Sequence, residues 1–148
     1  MRNTDVVIQE VPHREQRYPT VGDWIPPTKT RPAKIRASRM KDRRYTFLVA
    51  LHELVEYKLC KEEGVTDEEV VDFDVQFEEE RKAGLHRKYD EPGDDPRAPY
   101  QAQHKFATKI EMLMAKELGV SWAAYEKTVN SLGIRRKKHT SKRKATKK

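Results

Sequence analysis

Cysteine and long apolar runs are scarce in this chain. The single cysteine, Cys60, has no partner for an intrachain disulfide, which favours a cytoplasmic protein. No apolar run approaches the roughly 20 residues that a membrane-spanning helix needs. The first residues also lack the apolar core of a secretory signal. We therefore expect a cytoplasmic location and no membrane partner.

Hydrophobic residues are few as well. They make up 36% of the 148 residues, against 37% that are charged. This balance predicts one modest core with solvated extensions. We predict a flexible or edge-like N-terminal segment over residues 1–12, a single helical domain over 13–133 and a disordered basic tail over 134–148.

Acidic residues are missing from residues 135–148, which contain nine lysines and arginines. Such a block either solvates the chain or binds phosphate backbones without sequence preference. Nucleic acid is therefore a candidate partner of the tail, through Arg135, Arg136, Lys137 and Lys138. The net charge of +7 says little about the core, because much of it lies in this tail.

Apolar periodicity and stop signals predict a mainly α fold of three to four helices. We expect helices over residues 44–63, 67–83, 99–118 and 122–132, each followed closely by a glycine. Thr66 with Glu69 forms a capping box before the second helix, and Ser121 caps the fourth.

A short N-terminal β-hairpin is expected before the helices. Its strands lie within residues 16–25 and 33–39, which flank the loop PPTKTRP. Prolines at 26, 27 and 32 limit how far these strands can pair.

The first helix carries ionisable groups on its apolar side. Its sequence over residues 43–60 is RRYTFLVALHELVEYKLC. A helix turns by about 100° per residue, so with Leu48 at zero His52 lies at about 40° and Glu56 at about 80°, inside the apolar arc. Glu53 lies at about 140°, at the rim of that arc. A buried imidazole or carboxylate is costly unless hydrogen bonds or a metal ion satisfy it.

The second and third helices repeat this feature. Asp74 lies at about 40° when Val70 is taken as zero. With Tyr100 as zero on the third helix, His104 lies at about 40° and Glu111 at about 20°. Three helices thus offer ionisable groups to one interior, which predicts a hydrogen-bonded network or a metal site. Two imidazoles with carboxylates suit Zn, with Mn or Fe as alternatives.

Residues 52–56, HELVE, form an HExxE pattern that resembles the HExxH helix of the zincin metallohydrolases. The resemblance implies that His52 and Glu56 bind the metal and that Glu53 is the catalytic general base. It also implies an α+β zincin-like fold and, by default, hydrolysis of a protein or peptide substrate.

The inward groups of the other helices complete this hypothesis. His104 is the predicted third ligand and Asp74 a candidate fourth. Glu111 is the predicted carboxylate behind the ligands, which orients His104 or completes the shell.

A broader resemblance covers most of residues 13–126. The segments that carry it are QRYPTVGDW, FLVALHELVEYKLCKEEGV, VVDFD, EPGDDPRAPYQAQHKFATKIE and LGVSWAAYE. In this order they are similar to a family of small bacteriophage and bacterial proteins. The resemblance implies a phage or bacterial origin and a shared metal-like core, and it names no substrate.

Two other functions fit the same residues. A non-catalytic protein with a structural metal would use four protein ligands and leave no open position. A nucleic-acid-associated phage factor, such as a metal nuclease, would use the basic tail.

Overall fold

A computed structural model describes residues 5–132, which are mainly helical with a small β part. Within this range the chain forms a three-stranded sheet and four helices. The elements in chain order are β1 (Val6–Val11), β2 (Gly22–Ile25), β3 (Ala33–Ser38), α1 (Arg43–Glu63), α2 (Asp67–Lys82), α3 (Gln101–Glu117) and α4 (122–132).

The sheet has the strand order β1-β3-β2. Strands β2 and β3 pair antiparallel across residues 26–32, so the predicted hairpin is confirmed. Strand β1 pairs parallel to the other edge of β3. Residues 6–11, assigned from sequence to a flexible or edge-like segment, therefore form an edge strand of the sheet.

Helix α1 packs against both the sheet and α3. Its N-terminus is capped by Asp42, whose side chain accepts a hydrogen bond from the Arg44 backbone N–H. It ends at Gly64, whose left-handed φ of 74° favours glycine. The helix predicted over 44–63 is confirmed to within one residue. Ile35 of the sheet and Leu48 of α1 are both fully buried.

Helices α2 and α4 also begin where their caps predict. Thr66 and Glu69 form the capping box of α2, each bonding to the other's backbone N–H. At α4 the Ser121 hydroxyl accepts from the Ala124 backbone N–H at 3.3 Å. Helix α3 begins at Gln101, two residues later than predicted, because Tyr100 is not yet helical.

The predicted basic tail and the last predicted helix stop cannot be compared with the structure. The tail residues Arg135, Arg136, Lys137 and Lys138 lie outside the described residues, as does the predicted helix stop at Gly133. Among the helices of residues 5–132, none combines the length and the apolar character needed to cross a membrane.

We predict that Thr66→Ala lowers the free energy of unfolding by about 1 kcal/mol, because the first turn of α2 loses a side-chain acceptor. Urea denaturation followed by circular dichroism measures this change. The matched control is Thr128→Ala, which removes an exposed hydroxyl bonded to the Ala124 carbonyl within α4. Equal losses in the two variants would contradict a special role of the cap.

Candidate metal centre

Helices α1 and α3 bring two histidines and a glutamate to one point in the core. His52 Nε2 lies 3.1 Å from Glu56 Oε2 and 3.2 Å from His104 Nδ1. His104 Nδ1 lies 3.0 Å from the same Glu56 oxygen. All three side chains are buried. They form a group that could hold a metal ion.

The outward nitrogen of His52 is held by a carboxylate. His52 Nδ1 lies 2.7 Å from Glu111 Oε1. The second Glu111 oxygen accepts a hydrogen bond from the Tyr125 hydroxyl at 2.5 Å, which fixes the carboxylate in turn. Glu111 thus contacts His52, whereas the prediction from sequence was that it orients His104 or completes the shell.

The outward nitrogen of His104 meets two further carboxylates. His104 Nε2 lies 3.1 Å from Glu91 Oε2 and 3.4 Å from Asp94 Oδ1. Both acids belong to the loop between α2 and α3, where Glu91 immediately precedes the 3-10 turn Pro92–Asp94 and Asp94 is its last residue. Each histidine of the centre therefore has one ring nitrogen directed inward and the other held by acid groups.

The sheet contributes a tryptophan to the centre. Trp24 Nε1 of β2 donates a hydrogen bond to Glu56 Oε1 at 3.0 Å, in the core. One Glu56 oxygen is therefore engaged by the indole, and the other faces the two imidazoles. This division fixes the carboxylate plane.

The hydrogen bonds set the charges of this cluster. Burial by itself disfavours the charged imidazoles, but bonds to Glu111 and Glu56 raise the pKa of His52 to about 10. Burial is likewise outweighed at His104, where the carboxylates of Asp94, Glu56 and Glu91 raise the pKa to about 12. The two histidines overcome burial at Glu56 and lower its pKa to about 2. Without a metal, the cluster is a buried set of ion pairs.

Glu53 lies beside this cluster without joining its hydrogen bonds. Among residues 5–132 its carboxyl has no hydrogen-bond partner, and desolvation followed by repulsion from Glu56 raises its pKa well above the ordinary value. Gly22 of β2 lies directly against it. A Cβ added at Gly22 would lie 2.6 Å from both Glu53 Cγ and Oε1, so only glycine leaves room for this carboxyl.

A second glycine packs against His104. A Cβ added at Gly93 would lie 2.5 to 2.7 Å from three atoms of the His104 ring. Because Gly93 has no side chain, the 3-10 turn can lie directly against the imidazole. Glu91 and Asp94, on either side of Gly93, are then close enough to reach the same ring.

The structure separates Asp74 from the group of His52, Glu56 and His104. The Asp74 carboxylate instead accepts a hydrogen bond from the Tyr100 hydroxyl at 2.5 Å. Burial raises its pKa to about 7, against the opposing effect of that hydrogen bond. As the structure stands, Asp74 is engaged by Tyr100 and is not a fourth member of the cluster.

Four residues around the centre were not assigned to it from sequence. Glu91 and Asp94 lie in a loop with no periodicity from which facing could be computed. Trp24 and Tyr125 are buried aromatics whose polar atoms bond to the cluster. The general rule that a buried indole N–H or phenol hydroxyl needs a hydrogen-bond partner could have indicated both residues.

Compared with known proteins, the chain matches no family model, no curated protein and no solved structure. The resemblances to phage proteins and to zincins therefore stay predictions.

We predict that Gly93→Ala destabilises the metal-free protein by about 1–3 kcal/mol, because the new methyl group overpacks the His104 ring. The backbone at Gly93 has no positive φ, so the contact is the cause. Urea denaturation measures the loss. In a His104→Ala background the ring is gone and the same substitution should cost little. An unchanged cost in that background would contradict the contact.

We predict that the metal-free protein becomes less stable as the pH rises from about 7 to 9. The folded pKa values of His52 and His104 lie above the ordinary 6.5, so the folded state binds more protons in this range. That stabilisation is complete below the unfolded pKa and disappears as the pH rises toward the folded values.

The measurement is urea denaturation of chelator-treated protein at several pH values. His104→Gln lacks one of the raised groups and should show a shallower decline. A slope identical to that of the wild type would show that His104 does not carry the effect.

Proposed function

We propose that the chain is a metal-dependent hydrolase with a zincin-like helix, in which His52, Glu56 and His104 bind Zn²⁺. One observation carries the proposal. Three donor atoms from two helices converge, and each imidazole has its other nitrogen held by carboxylates. Metal-binding histidines in proteins nearly always have such a partner behind them.

The spacing of the donors fits a small divalent ion. Zinc–nitrogen and zinc–oxygen bonds of about 2.0–2.1 Å in a tetrahedral site separate neighbouring donor atoms by about 3.3 Å. The three separations here are 3.0, 3.1 and 3.2 Å. Octahedral Mn or Fe sites with similar bond lengths bring neighbouring donors slightly closer, so the distances also accommodate those ions.

A metal ion and two protons would compete for the same donor atoms of this site. When both imidazoles are charged, His52 Nε2 and His104 Nδ1 each carry a hydrogen, and the two nitrogens are 3.2 Å apart. They cannot bond to each other, and both must donate to the single oxygen Glu56 Oε2. A metal ion would replace both protons and use the same three lone pairs.

The donor set favours a catalytic over a structural metal. Within residues 5–132 the inner cluster supplies three ligands, and Asp74 is engaged by Tyr100. Three protein ligands with an open position are typical of catalytic zinc, whereas structural zinc has four. A bound Zn²⁺ would supply Lewis acidity and lower the pKa of water at that position.

Glu53 is the residue we assign as general base. It follows His52 in the HExxE pattern and borders the cluster, and its carboxyl lacks a hydrogen-bond partner among the described residues. A nearby cation would favour its charged form, which is the form that accepts a proton. Gly22 would hold the carboxyl in place by close contact.

The charges around the centre favour an uncharged substrate bond such as an amide. Among the described residues, no lysine or arginine is hydrogen-bonded to Glu56, Glu91 or Glu111. A phosphodiester would meet these carboxylates without a cationic side chain to offset them. This argues for a peptidase-like reaction rather than a nuclease.

We predict that the purified protein binds about one Zn²⁺ per chain after reconstitution. His52→Ala and His104→Ala should lose it, because each removes a ligand. Asp74→Asn and Glu53→Gln should retain it. Elemental analysis of the five proteins decides the ligand set. A wild type that stays metal-free after reconstitution with Zn, Mn or Fe would overturn the proposal.

The same variants separate catalysis from structure. With a metal-loaded wild type, peptide hydrolysis should fall by about 10²-fold or more in Glu53→Gln, which keeps the shape and removes the base. Asp74→Asn is the matched control and should retain activity. A loaded wild type that hydrolyses no peptide or ester would favour the structural metal.

A further inference from the structure

The loop of residues 86–98, here called the strap, crosses from α2 to α3 and closes on the metal centre. Its middle carries Glu91, Gly93 and Asp94. The two acids lie 3.1 and 3.4 Å from His104 Nε2, and Gly93 packs on the ring. A side chain that holds the strap against the ring therefore also affects the direction in which His104 Nδ1 points.

Arg81 in the last turn of α2 holds the first half of the strap. Its guanidinium donates to the backbone carbonyls of Arg87, Lys88 and Asp90, the last of which immediately precedes Glu91. The side chain is only 14% exposed, and Glu78 pairs with its remaining donors. A partly buried guanidinium with carbonyls on one side and a carboxylate on the other is firmly fixed.

Both ends of the strap are also attached to α2, through Glu80 in its last turn. Arg97 forms a two-point pair with Glu80, at 2.7 and 3.1 Å. His86, at the start of the strap, bonds to Glu80 at 2.9 Å and stacks on Phe77 at 3.8 Å between ring centroids. Both ends are thus attached to α2, and only the middle reaches the centre.

We propose that Arg81 is a positioning residue for the metal ligand His104 and acts through the strap. The inference rests on the proposed function as far as the metal is concerned. Among residues 5–132, Arg81 forms no hydrogen bond or ion pair with His52, Glu56 or His104. Its effect passes through the carbonyls of residues 87–90 to Glu91, Gly93 and Asp94, and from these to the imidazole.

The test compares Arg81→Lys with Arg44→Lys. A lysine keeps the charge and the aliphatic stem, but its three donors on one nitrogen cannot replace the five hydrogen bonds that Arg81 makes to the three carbonyls and to Glu78. Arg44 is the matched control, because it also pairs with a carboxylate, Asp42, and a backbone carbonyl, that of Leu118, away from the centre. Circular dichroism and urea denaturation confirm that each variant is folded.

The first measurement is the Zn²⁺ dissociation constant, by chelator competition, with the visible absorption of the Co²⁺-loaded protein. Arg81→Lys should weaken zinc binding by about 10-fold, near the lower end of what losing a ligand's supporting partner costs. It should also change the Co²⁺ spectrum, which a loss of stability alone would not. Arg44→Lys should match the wild type in both.

The second measurement needs no metal. Long-range ¹H–¹⁵N NMR spectra of the metal-free protein report the environment of each histidine ring. In Arg81→Lys the His104 signals should shift or split, while those of His13 should stay as in the wild type.

Unchanged His104 signals in a folded Arg81→Lys protein would overturn the inference, whatever the metal result. A wild type that binds no metal would overturn the proposed function instead, and the ring signals would still decide the role of the strap.

Discussion

The structure depends on the charge of the Glu56 carboxylate. A buried anion is tolerated only when donors or cations surround it. Glu56 obtains them from three elements: Trp24 of β2, His52 of its own helix and His104 of α3. The sheet, α1 and α3 must therefore converge on this side chain for its charge to be satisfied. Apolar packing of Ile35 and Leu48 makes the core compact, but it does not by itself require this arrangement.

Helical facing is the part of the site that could be predicted from the sequence. The angle around a helix depends only on residue number, so His52, Glu56, His104 and Glu111 could be assigned to inward faces without knowing the fold. The angle does not say at which height along the axis a residue faces a neighbouring helix, nor at which angle the two helices cross. Asp74 shows the limit, because it faces inward as computed, yet it lies opposite the Tyr100 hydroxyl and not the imidazoles. Glu111 shows it too, because the way α3 lies against α1 brings it to His52.

The remaining parts of the site come from segments that have no helical periodicity in their sequence. Glu91 and Asp94 reach His104 because the strap is tied at both ends to α2, which depends on contacts between residues that are distant from the ring. The parallel pairing of β1 with β3 is a non-local contact of the same kind, and nothing within residues 6–11 specifies it. Nothing in the sequence marks Gly22 or Gly93 as neighbours of the site. Their importance comes from the side chains that the fold places against them.

The balance between protons and metal follows from the same carboxylates. They hold the imidazoles charged in the metal-free protein, so the fold can satisfy Glu56 without any ion. A cation entering between His52 Nε2 and His104 Nδ1 would have to displace both protons, so its affinity would rise with pH. Glu111, Glu91 and Asp94 would keep their partners in either state, because they contact the outward nitrogens. The surrounding residues thus fit both states. Occupancy of the centre would change its charge and chemistry with little rearrangement of the helices, unlike small domains that fold only when zinc is bound.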